Sequence, residues 1–173
     1  MTRLPPMLAL AAVLVGSGAL AEDRPAPADV AQLETCLAEQ LPATDRAVSV
    51  CIRLLAERCM AQPDGGTTFG MTGCMRGEAD AWDVLLNRDW PRLMARARGT
   101  DEAYAGLGAD LPSAAKTLRD AQRAWLAWRD AECLARAAEW GDGSHRHIAW
   151  ADCWLQLTAE RTIRLRARLA EEP

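Results

Sequence analysis

Apolar residues along this chain recur at the three-and-four spacing of helices, and strict alternation is not sustained in any segment. β-Branched residues are few and alanine is abundant, so the pattern predicts an all-α protein, an antiparallel helical bundle of about five helices. The clearest segment is Leu118 to Cys133. At the helical advance, Leu118, Gln122, Trp125, Leu126, Arg129 and Cys133 share one arc of about 100°. Arg119, Asp120, Arg123, Ala127 and Asp130 fall outside it. Ser113 is the expected N-cap, and this helix is expected to run to about Trp140. The sharpest turn signal follows, Trp140-Gly141-Asp142-Gly143-Ser144-His145. A last helix from about His147 to Ala170 then buries Trp150, Cys153, Trp154, Leu157, Thr158, Arg161 and Leu165.

Earlier in the chain, Asp29 with Gln32 three residues on predicts a helix over about Val30 to Leu41, which Pro42 ends. A second helix is expected from Thr44 or Asp45, presenting Val48, Cys51, Ile52, Leu55 and Cys59 before it dissolves at Gln62 to Gly66. A third begins near Thr72 and carries Met75, Glu78, Ala79, Trp82, Leu85, Leu86, Asp89 and Leu93 on one side. Pro91 falls inside that pattern, which predicts a kink or a restart capped by Asp89. Gly99 to Pro112 reads as a loop.

The first 21 residues read as a targeting segment to be removed. Arg3 supplies a weak positive start, Met7 to Val15 an apolar run, and Ala19-Leu20-Ala21 a small-x-small cleavage site. Residues 22–28 then form a flexible leader, residues 29–72 an N-terminal helical hairpin with its own cysteines, and residues 73–170 the main helical domain, packed with it as one unit. Losing Arg3 takes the formal net charge from -4 to -5, which argues against nucleic acid as a partner. No later segment is apolar for long enough to span a bilayer, so a periplasmic or secreted protein is expected, with no membrane span after cleavage.

Six cysteines in an exported chain point to three disulfides. Positions equidistant from the turn of a helical hairpin lie at equal height, as a bridge with Cα atoms roughly 5.5 Å apart requires. Cys36 and Cys51 flank the turn at Pro42 to Asp45, Cys59 and Cys74 flank Gly65-Gly66, and Cys133 and Cys153 flank Gly143. The expected pairs are therefore Cys36 with Cys51, Cys59 with Cys74, and Cys133 with Cys153.

Cofactor and metal chemistry find little support. There is no CxxC or CxxCH, and the two histidines, His145 and His147, form HxH in an expected turn without the three or four ligands that metal sites use. No nucleophile elbow, phosphate loop or HExxH is present, so the residues point away from an enzyme. The tryptophans at 82, 90, 125, 128, 150 and 154 recur at helical spacing, which favours core packing over sugar stacking. Glu78, Gln122, Arg129 and Arg161 sit in or beside those apolar stripes. They read as a structural polar core in which Arg129 pairs with an acid on another helix, Glu78 being the first candidate.

The segment LRDAQRAWLAWRDAEC, Leu118 to Cys133, resembles the signature L-x-x-A-Q-x-x-W-L-x-[YF]-R-D-x-x-C of the LprI-like lysozyme-inhibitor family. Asp83 to Asn87 with Trp90 and Leu93 resembles the family's D-x-x-L-N-x-x-Y-x-x-L, and Cys153 to Arg161 with Leu165 resembles its C-x-x-x-L-T-x-x-R-x-x-x-L. The resemblance covers about Cys74 to Leu169, and 29–72 lies outside it. Trp90 stands in place of the usual tyrosine, Pro91 is unusual, and no lipid-attachment cysteine follows the targeting segment. The resemblance implies an exported helical domain with a protein partner, for some members a lysozyme. The expected function is to bind and block a lysozyme-type muramidase without catalysis. An envelope structural or immunity-type protein, binding another periplasmic protein, is the alternative. An inhibitor that fills a cleft needs a rigid polar protrusion, which here is Gly141 to His147 with Asp142, Ser144 and His145 as its contacts. The same stretch also reads as an ordinary helical connection, and the Gly99 to Pro112 loop is the other place for such a site.

Overall fold

The computed structural model describes residues 26–40, 49–107 and 110–170. The targeting segment, most of the leader and the expected turn at Pro42 to Asp45 lie outside the described residues. Among the described residues five α-helices follow one another: α1 Pro27–Gln40, α2 Leu54–Met60, α3 Thr68–Tyr104, α4 Ala114–Ala138 and α5 His145–Ala170. No strand occurs among the described residues, and none of these helices is long and apolar enough to cross a membrane.

Several boundaries differ from the sequence expectation, each for a local reason. Helix α1 starts at Pro27, whose missing N–H and fixed φ suit a first helical position, so Asp29 lies in the first turn instead of capping it. The expected second helix is broken. A 3-10 turn over Ser49–Cys51 leads into Arg53, which sits at φ 77, and only then does α2 begin. Helix α3 begins at Thr68 because Thr67 caps it, its side chain accepting from the Gly70 N–H. Gly99 is helical, and α3 stops at Tyr104, just before Gly106, whose φ of 100 suits a residue without Cβ.

Pro91 neither ends nor restarts α3, which continues through it. Pro91 and Asn87, whose carbonyl loses its usual donor, are both exposed, so water is at hand for the orphaned oxygen. Asp89 is not a cap. It is buried and accepts from Arg166 Nε of α5.

Helix α3 is the axis, about 55 Å long at 1.5 Å per residue. Helix α5 runs parallel to it: Met75 lies near Asp152, the Trp82 carbonyl accepts from Thr162, and Asp89 meets Arg166. Helix α4 runs antiparallel to both. The larger core joins Val30, Leu33 and Leu37 of α1, Ile52, Leu55 and Ala56, Met75, Trp82 and Leu85 of α3, and Ile148, Ala151 and Leu155 of α5. Trp82 is fully buried at its centre. A second cluster, at the far end, packs Leu86, Leu93, Met94 and Ala97 against Ala115 and Leu118 of α4 and Leu165 of α5.

Disulfides join Cys36 to Cys51, Cys59 to Cys74 and Cys133 to Cys153, with Cα separations of 5.9, 5.6 and 5.3 Å. The first ties α1 to the 3-10 turn, the second α2 to α3, and the third α4 to α5.

Candidate functional site

The signature residues of α4 face α5, where they build a seam of stacked rings and cations. Arg129 is buried, with its guanidinium carbon 3.6 Å from the Trp154 ring centroid and 5.1 Å from that of Trp125. Its Nη1 donates to Thr158 Oγ1 at 3.3 Å, and its Nε and Nη2 donate to Asp130. The expected pair with Glu78 does not form. Helical period placed Arg129 on an inward face without saying which helix it meets, and that helix is α5, not α3. Asp130, from the neighbouring position of the same helix, serves as its counter-ion at the solvent edge.

Glu78 has a different task. Its carboxylate is buried and accepts from Arg53 N at 2.7 Å, Leu55 N at 2.9 Å, Ala56 N at 2.7 Å and Trp82 Nε1 at 2.9 Å. Helix α2 has no capping side chain of its own, so a carboxylate from α3 satisfies its first N–H groups and meets the positive end of its dipole. A buried charge is tolerated here because four donors replace its hydration.

Farther along the seam, Gln122 accepts from Arg161 Nε at 2.9 Å, and Arg161 lies 5.4 Å from the Trp125 ring. Burial, with the positive charges of Arg164 and Arg168 adding to it, draws the Arg161 guanidinium below its ordinary value. One residue of the predicted arc, Leu126, and one tryptophan expected in the core, Trp128, point elsewhere. Trp128 is half exposed, and Leu126 is also exposed, because α4 rests on α5 and the end of α3 through a narrow stripe only.

Beyond the Cys133–Cys153 bridge, the α4–α5 turn projects. Gly141 takes φ 53, and the turn is closed by Gly143 N donating to the Trp140 carbonyl at 3.0 Å and Arg146 N to the Gly143 carbonyl at 3.1 Å. Asp142, Ser144 and His145 are exposed. Trp140, half exposed, has its ring centroid 3.9 Å from that of His145. Clefts flank the turn. One of about 340 Å³ is lined by Leu134, Ala137, Arg146, His147 and Trp150, and the other, of about 390 Å³, by Arg53, Met75, Arg136, Trp140, His145 and Asp152. Sequence reasoning missed Trp140, Leu134 and Arg53 as parts of this edge. Helical period places Trp140 on the buried arc of α4, and it escapes only because the helix ends at Ala138.

The tip offers aromatic surface and short polar side chains in a frame held by the Cys133–Cys153 bridge. Among the described residues no group of three His, Cys, Asp or Glu side chains is placed to hold a metal ion.

Fold and seam define a class: a disulfide-braced, antiparallel helical protein whose signature residues lock two helices together. The chain belongs to the LprI lysozyme-inhibitor family, since the sequence model of that family, described as lysozyme inhibitor LprI, matches residues 59–165. An uncharacterized protein of Rhizobium meliloti (strain 1021) is 30% identical over 93 residues, covering 54% of this chain and 67% of that protein. The uncharacterized 17.7 kDa protein in the puhA 5′ region of Rhodobacter capsulatus is 28% identical over 166 residues, 95% of this chain and 96% of its own length. No solved structure matches the chain significantly.

Proposed function

We propose that this protein is exported and inhibits a lysozyme-type muramidase by binding it, without catalysing a reaction. The observation that carries this reading is the family match over residues 59–165, which spans α3, α4 and nearly all of α5. Three disulfides in a chain of this size suit an oxidising, extracytoplasmic compartment.

The hairpin tip from Trp140 to His147 is the binding edge of this proposal, with Asp142, Ser144 and His145 as polar contacts and Trp140 as the aromatic one. Its bracing by Cys133–Cys153 limits the ordering entropy lost on docking. Charge favours the same end. Over residues 68–87 and 124–159 eight acidic side chains stand against four basic ones, an excess that attracts a basic enzyme. The test is lysis of peptidoglycan by lysozymes of several types with the oxidised protein added. Stoichiometric inhibition of at least one type is expected. Undiminished lysis by all of them overturns the proposal and moves the protein to the envelope structural or immunity class.

A further inference from the structure

Helix α4 is patterned on its outer face as well as on its inner one. Leu118, Gln122, Arg129 and Cys133 are buried on the side that meets α5 and the end of α3. Across the helix from them, Ala121, Ala124, Trp128, Ala131, Ala135 and Ala138 follow one another at spacings of three and four residues, the a and d positions of a heptad, within an arc of about 100°. All six are exposed. No charged side chain falls in that arc between Ala121 and Ala138. Ala127 and Leu134 widen it on one side, and Glu132, which accepts from Arg136 Nε at 2.9 Å, borders the other. The result is an apolar strip of about 27 Å with a polar rim, which no other described element covers.

Exposed alanines need no more than helix propensity to account for them. Trp128 is different. Its side chain is 50% exposed in the middle of the strip, and its ring meets no other ring or cation among the described residues. Leu134, at the edge of the strip, is 66% exposed. An indole and a leucine left in water on a charge-free face mark a surface that something covers.

The order of residues selects the occupant. The strip is palindromic about the point between Arg129 and Asp130: Ala121 and Ala138, Ala124 and Ala135, and Trp128 and Ala131 are each equidistant from it. When two copies of α4 pack antiparallel across a two-fold axis through that point, each a position faces a d position of the other copy. Every layer is then alanine on alanine except the central two, in which each indole lies against Ala131 of the other copy. Large meets small there, and the alanine layers let the helices approach to about 8 Å. A parallel pair would set one Trp128 against the other and hold the alanine layers apart. An unrelated helix or a bilayer gains nothing from the palindrome, whereas an isologous contact requires it. Such a pair buries about 1,000 Å² over both copies, Trp128 and Leu134 contributing most, which is the lower limit for a specific interface. We propose that the outer face of α4 is a self-association surface, through which two copies of this chain form an antiparallel dimer centred on Trp128. The hairpin tips then stand at opposite ends of the pair. The proposal does not depend on the muramidase reading.

Sedimentation equilibrium of the oxidised protein decides it. The average mass should rise from one chain toward two as concentration increases, with a dissociation constant of roughly 1 to 100 μM for so small an interface. Trp128→Glu places a charge at the centre of the strip and should weaken association at least about tenfold. Its melting temperature should match that of the dilute parent, since the side chain is half exposed. Ala124→Glu and Ala135→Lys, both at exposed positions, should each weaken self-association at least about fivefold. Mixed together, these two variants should bind each other at least about tenfold more tightly than either binds itself, because only the antiparallel pair sets the two substituted positions face to face. A parent that stays monomeric up to about 1 mM overturns the proposal, as does association that Trp128→Glu leaves unchanged. Single variants that are weakened but not rescued by mixing overturn the antiparallel pairing.

Discussion

At the hairpin tip the α3, α4 and α5 frame is braced covalently, by Cys133–Cys153 between α4 and α5 and by Cys59–Cys74 at the start of α3; at the opposite end Leu86, Leu93, Met94, Leu118 and Leu165 hold the helices by packing. The α3, α4 and α5 segments at the tip carry an acidic excess, whereas the segments toward the far end carry the exposed Arg92, Arg98, Arg119, Arg164 and Arg168. The lesson is that the two ends are free to serve different surroundings. The stapled end is held in shape by covalent bonds, and the packed end depends on the fit of its side chains.

The largest loss is expected from unseating the buried cap. Glu78→Ala strands the first N–H groups of α2 and the Trp82 indole, at a cost of about 3 to 5 kcal/mol. Thermal denaturation should show a large fall in Tm, with Glu78→Gln losing less because its carbonyl still accepts. Next comes the staple. Replacing Cys133 and Cys153 together by serine releases a bridge spanning 20 residues and should cost roughly 3 kcal/mol. The tip amides should then lose hydrogen-exchange protection while those of the second cluster keep theirs; uniform loss would mean that the two ends unfold as one.

Arg129→Ala ranks third. Its counter-ion Asp130 is more than half exposed, so removing the guanidinium strands no buried acid and mainly empties the space between two indoles. About 1 to 3 kcal/mol is expected, below the cost of breaking a fully buried pair. A loss as large as that of Glu78→Ala would show that the seam carries more than its geometry accounts for. The smallest effect belongs to Asp101, at the packed end. The hydrogen bond from Ser113, helped by the N–H groups of Ala114 and Ala115, holds its carboxyl below the ordinary value of 3.8. A carboxyl with a depressed folded-state pKa stabilises the fold above its unfolded value, and that contribution is lost as pH falls through the folded value. Asp101→Asn should therefore melt below the parent at neutral pH, with the gap closing once the pH is well under 3.8.

Helix arcs and cysteine pairs were legible in the chain because both rest on local arithmetic. Equal distance from a turn puts two positions at one height, and Cys36, Cys51, Cys59, Cys74, Cys133 and Cys153 sit as that arithmetic places them. Period alone does not say which helix an inward side chain meets, so Arg129 was matched with Glu78 when its surroundings come from Trp154 and Thr158. The task of Glu78 was hidden for a further reason. It depends on a break at Arg53, where a left-handed residue divides what reads as one helix. The meeting of Arg96 with Arg168 was out of reach of a linear reading, because the two are far apart in the chain and come together only when α3 and α5 pack.

One measurement bears most directly on the account: titration calorimetry of a basic lysozyme that the protein inhibits, against the parent, the tip variant Asp142→Ala with Ser144→Ala and His145→Ala, and the far-end variant Arg164→Glu with Arg168→Glu. The tip variant should bind at least about tenfold more weakly, a loss of about 1.4 kcal/mol, with its melting temperature unchanged. The far-end variant should bind as the parent does. Undiminished binding by a folded tip variant, together with a loss in the far-end variant, would contradict the assignment of the two ends.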